Sequence, residues 1–165
     1  MAWSTPRTWS TGELVTAAIM NAHVRDNLNA AFPLGVDAWT VYTPTLTNIT
    51  LGNGILIGKY HRVGRTIHFR IKLTWGTTTS SSGNHIFRLP VAPHADYTIN
   101  AHVANLTLHD SGTAVWNGTG FITSGSDFLA SYKSDTAATG VTATLPFTWT
   151  VNDQIFISGT YEAAS

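Results

Sequence analysis

The sequence predicts a mainly-β protein, an antiparallel β-sandwich of jelly-roll type preceded by a short N-terminal α-helix. Three observations carry that expectation: period-two alternation of apolar and polar residues beyond residue 38, turn residues returning at short intervals, and one helical stretch confined to the first thirty or so residues. Composition agrees. Only 11% of the 165 residues are charged against 43% hydrophobic, and Thr, Ser, Gly and Asn are abundant, which suits strands and turns more than helical bundles. A chain of this length fills one sandwich with a small appendage, so the expected division is an N-terminal arm and helix over 1–37 and a β-sandwich over 38–165.

The helix is expected from about Thr11 to Asn29. Ser10 followed by Glu13 reads as a capping box, and Pro33 closes the segment. Its apolar residues fall on two faces, Leu14, Val15, Ala18, Ile19 and Ala22 on one and Met20, Val24 and Leu28 on nearly the opposite side. Such a helix needs partners on two sides. Its own β domain and a contact between copies are both open as the second partner. Leu14, Val15, Ile19, Met20, Val24 and Leu28 are the candidate assembly residues.

Strand candidates then follow in order: 39–47, 55–63, 67–75, 85–91, 97–109, 114–116 running into 121–123, 128–133, 141–150 and 154–161. Gly52-Asn53-Gly54, Gly64-Arg65, Ser82-Gly83-Asn84, Ser111-Gly112 and Asn152-Asp153 punctuate them. Ile67, Phe69, Ile71, Leu73 and Trp75 point one way and His68, Arg70, Lys72 and Thr74 the other, so that strand is half buried. The run from Thr77 to Asn84 reads as a polar, mobile loop tip.

Gly64-Arg65 fits a two-residue hairpin loop with glycine first, as a type II′ turn prefers. If Val63 pairs with Thr66, His61 faces His68, Lys59 faces Arg70 and Ile57 faces Lys72. Like charges directly across a ladder repel, so Lys59, His61, His68, Arg70 and Lys72 form a candidate face for an anionic partner. That partner could be the chain's own acidic half, a neighbouring subunit, or an anionic glycan or phosphate; a plain solvated face is the alternative. Net charge is zero, but residues 38–95 carry six Lys and Arg and no carboxylate, while Asp and Glu dominate from Asp96 onward.

Catalytic constellations are sparse. His61 and His68 lack a third ligand within their hairpin, so no metal is expected. Asp110-Ser111-Gly112-Thr113 matches a short aspartic-protease signature, yet Asp-Ser-Gly is also an ordinary turn. Glu13 and Glu162 are the only glutamates and lie near opposite ends. With no nucleophile elbow, P-loop or zinc-protease motif, the chain is expected not to be an enzyme and to need no cofactor. With no cysteine, disulfides and thiolate metal sites are excluded. Trp39, Tyr42, Trp75, Trp116, Trp149 and Tyr161 are expected in the core, although an exposed aromatic face would bind sugars or proteins. No apolar run marks a signal peptide or a bilayer span, so a soluble protein made in the cytoplasm is expected, with neither membrane nor nucleic acid as a partner.

Two stretches carry a resemblance. TPRTWSTGELVTAAIMNAHVRDNLNA, residues 5–30, is similar to a segment recurrent in structural proteins of tailed bacteriophages, especially those infecting actinobacteria. LGNGILIGKYHRVGRTIHFRIKLTWGTTT, residues 51–79, with LPVAP at 89–93, resembles the β domain that often follows it in minor tail or receptor-binding proteins. The resemblance implies a virion component located on the particle, homo-oligomeric and often trimeric, contacting other phage virion proteins, with the helix as anchor and the β domain displayed. A second expectation, carried by the aromatic and basic residues, is a receptor module that recognises host cell-surface glycan. The chain lacks the long coiled coil or repetitive shaft of a tail fibre, which brings in a compact tail accessory or a capsid decoration protein as alternatives.

Overall fold

The computed structural model describes residues 4–31, 39–133 and 138–164. Backbone proximity divides the chain into two compact units, Met1–Ala38 and Trp39–Ser165, each described by itself.

In the first unit, α1 (Ala17–Met20), a π-helical turn (Asn21–Arg25) and α2 (Asp26–Ala31) follow one another without a break. Helix therefore starts later than the expected Thr11. Half of the capping box does form, with Ser10 N donating to Glu13 Oε2 at 3.2 Å. However, Gly12 has a φ of 80° and Glu13 N donates to Ser10 O at 3.1 Å, so these residues close a turn. A left-handed residue there cannot be the first turn of a right-handed helix. The N-cap is Thr16, in extended conformation, whose Oγ1 accepts from Ile19 N at 3.3 Å. Asn27 fastens the helix to the arm: its Oδ1 accepts from Ser4 N at 2.9 Å and its Nδ2 donates to Ser4 O at 3.0 Å. Pro33, the expected stop, lies outside the described residues.

The second unit is built from β1 (Thr40–Tyr42), β2 (Leu46–Thr50), β3 (Ile55–Val63), β4 (Thr66–Thr74), β5 (Ser80–Arg88), β6 (His102–Asp110), β7 (Ala114–Ser124), β8 (Asp127–Lys133), β9 (Ala138–Gly140) and β10 (Gln154–Glu162). All pairings are antiparallel. The expected mainly-β class is thus present, but the strands join one continuous sheet, ordered β1-β3-β4-β10-β6-β7-β8-β5-β2 with β9 beside β8, where a strand count of this size is expected to close as two packed sheets or a barrel.

That sheet must curl. β3 and β2 are seven steps apart in the order, about 34 Å if flat. Yet β2 ends at Thr50 and β3 begins at Ile55, a stretch that spans at most about 18 Å. The rings of Phe69 on β4 and Phe128 on β8, four steps apart, accordingly meet with centroids 5.9 Å apart. The result is an open, half-barrel curl with the apolar face inside. Alternation puts Ile67, Phe69, Ile71 and Leu73 of β4, Ile155 and Ile157 of β10, and Leu106 and Leu108 of β6 in the core.

Three strand expectations shift. The candidate strand 39–47 breaks into β1 and β2 around Pro44, which has no N–H to donate. Ser80–Asn84, read as part of a loop tip, belongs to β5, because Ser80 and Ser81 pair with Thr50 and Ile49 across a ladder to which side-chain polarity is irrelevant. Residues 141–150 form no strand: Val141 and Trp149 are buried by side-chain packing, and Trp149 Nε1 donates to Thr142 O at 2.8 Å.

Candidate functional site

The β3–β4 hairpin has the register that the sequence indicates, with Val63 opposite Thr66, His61 opposite His68, Lys59 opposite Arg70 and Ile57 opposite Lys72. Gly64 supplies the left-handed φ of 59° that the two-residue turn requires. Because Leu73, Ile71, Phe69 and Ile67 point inward, the basic side chains point away from the core.

What the sequence could not indicate is the neighbour. β10 lies between β4 and β6, so the basic rows continue across three more strands: Lys59, Arg70, Ser158, Asn105 and Thr119 along one, and Ile57, Lys72, Phe156, Thr107 and Asn117 along the next. All of these but Thr119 line a hollow of about 720 Å³, within the roughly 300–1,000 Å³ typical of small-molecule sites. A second hollow of about 500 Å³, bordered by Trp39, His68, His102 and Thr160, shares Asn105 and Ser158 with it and prolongs the groove. The one available clue was Phe156, an aromatic at a polar-face position of strand 154–161; it is 41% exposed.

Electrostatics separate this face from the rest of the domain. Arg65 pairs with Glu162 at 3.0 Å and Arg88 with Asp127 at 3.4 Å, so part of the basic half does meet the acidic half. Lys59, Arg70 and Lys72 have no ion pair among the described residues. Instead Arg70 lies over the Trp39 ring at 4.7 Å and Lys72 over the Phe156 ring at 5.2 Å, cation–π contacts that hold both charges along the groove. His68 Nδ1 is 2.9 Å from Thr160 Oγ1. His61 leans toward Trp39, ring centroids 6.4 Å apart, and its Nε2 is buried without a hydrogen-bond partner among the described residues.

The other candidates resolve differently. Among the described residues no group of three or more His, Asp or Glu side chains could hold a metal, so His61 and His68 gain no third ligand. Asp110-Ser111-Gly112-Thr113 is a turn, closed by Thr113 N donating to Asp110 O at 3.0 Å. Of the aromatics, Trp75, Trp149 and Tyr161 are in the core, and Tyr42 and Trp116 pack partly buried against it. Trp39 lines the groove. His85 is fully buried against Trp75 at 5.5 Å and Trp149 at 5.7 Å, and desolvation lowers its pKa to about 4.

The candidate assembly residues sit on and just before the helix. Leu14 is 80% exposed, and Val15, Met20, Val24 and Leu28 are exposed as well; Ile19 is half-buried. Among the described side chains of that unit Asn27 alone is buried. No helix among the described residues is long and apolar enough to cross a membrane.

No protein-family model, curated protein or solved structure matches the chain.

Proposed function

We propose that the chain is a structural protein of a tailed-bacteriophage virion, a minor tail or surface-displayed accessory protein that assembles through its N-terminal segment and is not an enzyme. The observation that carries this reading is a helix with no apolar core of its own. Leu14, Val15, Met20, Val24 and Leu28 are exposed on an element that the Ser4–Asn27 hydrogen bonds hold together. Isolated helices of this length are marginal in water, so such a segment gains its stability from partners. The resemblance of residues 5–30 to a recurrent phage segment supplies the kind of partner: further copies, as a trimer, and other virion proteins. In the β domain we read the Phe69–Phe128 contact as the two halves of the curled sheet packed face to face, in the manner of a sandwich.

Sedimentation of the full chain and of a variant with Leu14→Asp and Leu28→Asp tests the assembly reading. The parent should run as a homo-oligomer and the variant as a folded monomer that no longer joins particles. A monomeric parent, or normal incorporation of the variant, would defeat it. Labelled protein imaged on intact virions distinguishes a tail location from capsid decoration.

The groove favours a second reading, in which the β domain is also a receptor module that binds host-envelope glycan. Its support is the hollow itself, outward-facing and lined by cations, amides and an exposed aromatic ring.

A further inference from the structure

We infer that the groove across β3, β4, β10, β6 and β7 is a binding site for an acidic oligosaccharide, held through Lys59, Arg70 and Lys72. The inference rests on the second reading above and names the ligand class of that site.

The first argument is electrostatic. Lys59 and Arg70 are directly opposed in the ladder and Lys72 stands two residues further along β4, so three cations share a patch only one or two strand spacings across. Their mutual repulsion disfavours the empty face, and an anion placed among them relieves it. The chain's described carboxylates do not supply that anion. Glu13, Asp26, Asp127 and Glu162 are each in an ion pair, with Arg7, Arg25, Arg88 and Arg65 respectively, and Asp96 lies 3.2 Å from His94 Nδ1. Asp153, immediately before β10, is buried with its carboxylate accepting from Ser111 N and Thr150 N. Of the described carboxylates, Asp110 and Asp96, whose neighbour His94 is a cation only when protonated, have neither a permanent ion pair nor a buried hydrogen-bonded seat, fewer than the three cations of the face. The described carboxylates thus leave the face to an anion from another molecule.

The second argument is the rest of the lining. Asn105, Thr107, Asn117 and Ser158 present amides and hydroxyls that hydrogen-bond no other described side chain, and Ile57 and Phe156 place exposed apolar surface beside them. A bare phosphate would use the cations and leave the apolar surface of Ile57 and Phe156 idle. A sugar ring uses all three kinds of group: hydroxyls to amides, C–H faces to apolar side chains, and acid substituents to Arg and Lys. Elongation is the third. The two hollows join at Asn105 and Ser158, so the site suits several linked rings better than one.

Titration calorimetry of the full-length protein at low and moderate salt tests this with four probes: oligogalacturonate, heparin-derived oligosaccharide, methyl-esterified oligogalacturonate as the neutral counterpart, and polyglutamate of matched charge. An acidic saccharide should bind, more weakly as salt rises. Arg70→Glu should weaken that binding about tenfold or more, and Asn117→Ala measurably. Arg88→Gln, which lies outside the groove, should leave it unchanged. If Arg70→Glu does not fold, Lys59→Gln and Lys72→Gln, which keep the strand surface polar, carry the same comparison. Equal affinity for the methyl ester overturns the acidic assignment while leaving the receptor reading intact. Equal affinity for polyglutamate overturns the saccharide assignment. Failure of every saccharide to bind removes both.

Discussion

Asp153 joins two loops through one carboxylate. Its Oδ1 accepts from Ser111 N in the β6–β7 turn at 2.9 Å, and its Oδ2 from Thr150 N at 2.5 Å and Thr150 Oγ1 at 3.2 Å. The side chain is fully buried, so removing it leaves those backbone donors without partners. We expect Asp153→Ala to cost about 3 kcal/mol in chemical denaturation. His85 makes a different demand on the fold. Because burial lowers its pKa from 6.5 to about 4, the folded protein keeps the imidazole neutral where the unfolded chain would protonate it. Its contribution is fully present above about pH 6.5 and is lost as pH falls toward 4, by roughly 3 kcal/mol from this group. His85→Phe, which keeps a ring against the two stacked indoles, should flatten that part of the stability–pH curve; an unchanged slope between pH 6.5 and 4 would show that other groups set it. Neither residue was legible from sequence. Asp-containing turns and strand histidines are common, and only the tertiary fold decides which of them lose water.

At the scale of elements, legibility followed the strength of the local pattern. β4 alternates strictly and β3 returns from a glycine-first turn, so the hairpin, its register and the direction of every basic side chain could be read directly. The helix could be read only in part. Ser10 and Glu13 do interact, but Gly12 turns the chain between them, and the helix waits for Thr16. Residues 141–150 misled because alternation of Val, Leu, Phe and Trp fits a strand equally well as an irregular segment whose aromatics pack together, as Phe147 and Trp149 do with ring centroids 4.3 Å apart. β10 gives a sharper test of element packing. A Cβ on Gly159 would lie 2.1 Å from Val103 O and 2.6 Å from the Phe69 ring, so the strand passes there only without a side chain. Gly159→Ala should destabilise by about 2–3 kcal/mol or more in thermal melts, through displacement of Phe69 from its contacts with Phe128 and Tyr161.

For the whole molecule, strand content could be read and strand order could not. Nothing local says that the last strand inserts between the fourth and the sixth, and that insertion makes the groove, since it brings Phe156 and Ser158 beside Lys72 and Arg70. The uneven charge along the chain was legible, but its resolution was not: two cross-pairs absorb Arg65 and Arg88, and three cations remain on one face.

The curl also has a mechanical side. β1 pairs with β3 at one border of the sheet and β2 pairs with β5 at the other, and only Thr43, Pro44 and Thr45 separate them in the chain. A single short length of backbone is therefore a clasp across the seam, and neither border can peel away without pulling on the other. The clasp also couples the borders kinetically: amides of β1 and β2 should exchange with solvent as one cooperative unit, before those of β4, β10 and β6, so that the protein opens at its clasp while its core stays shut.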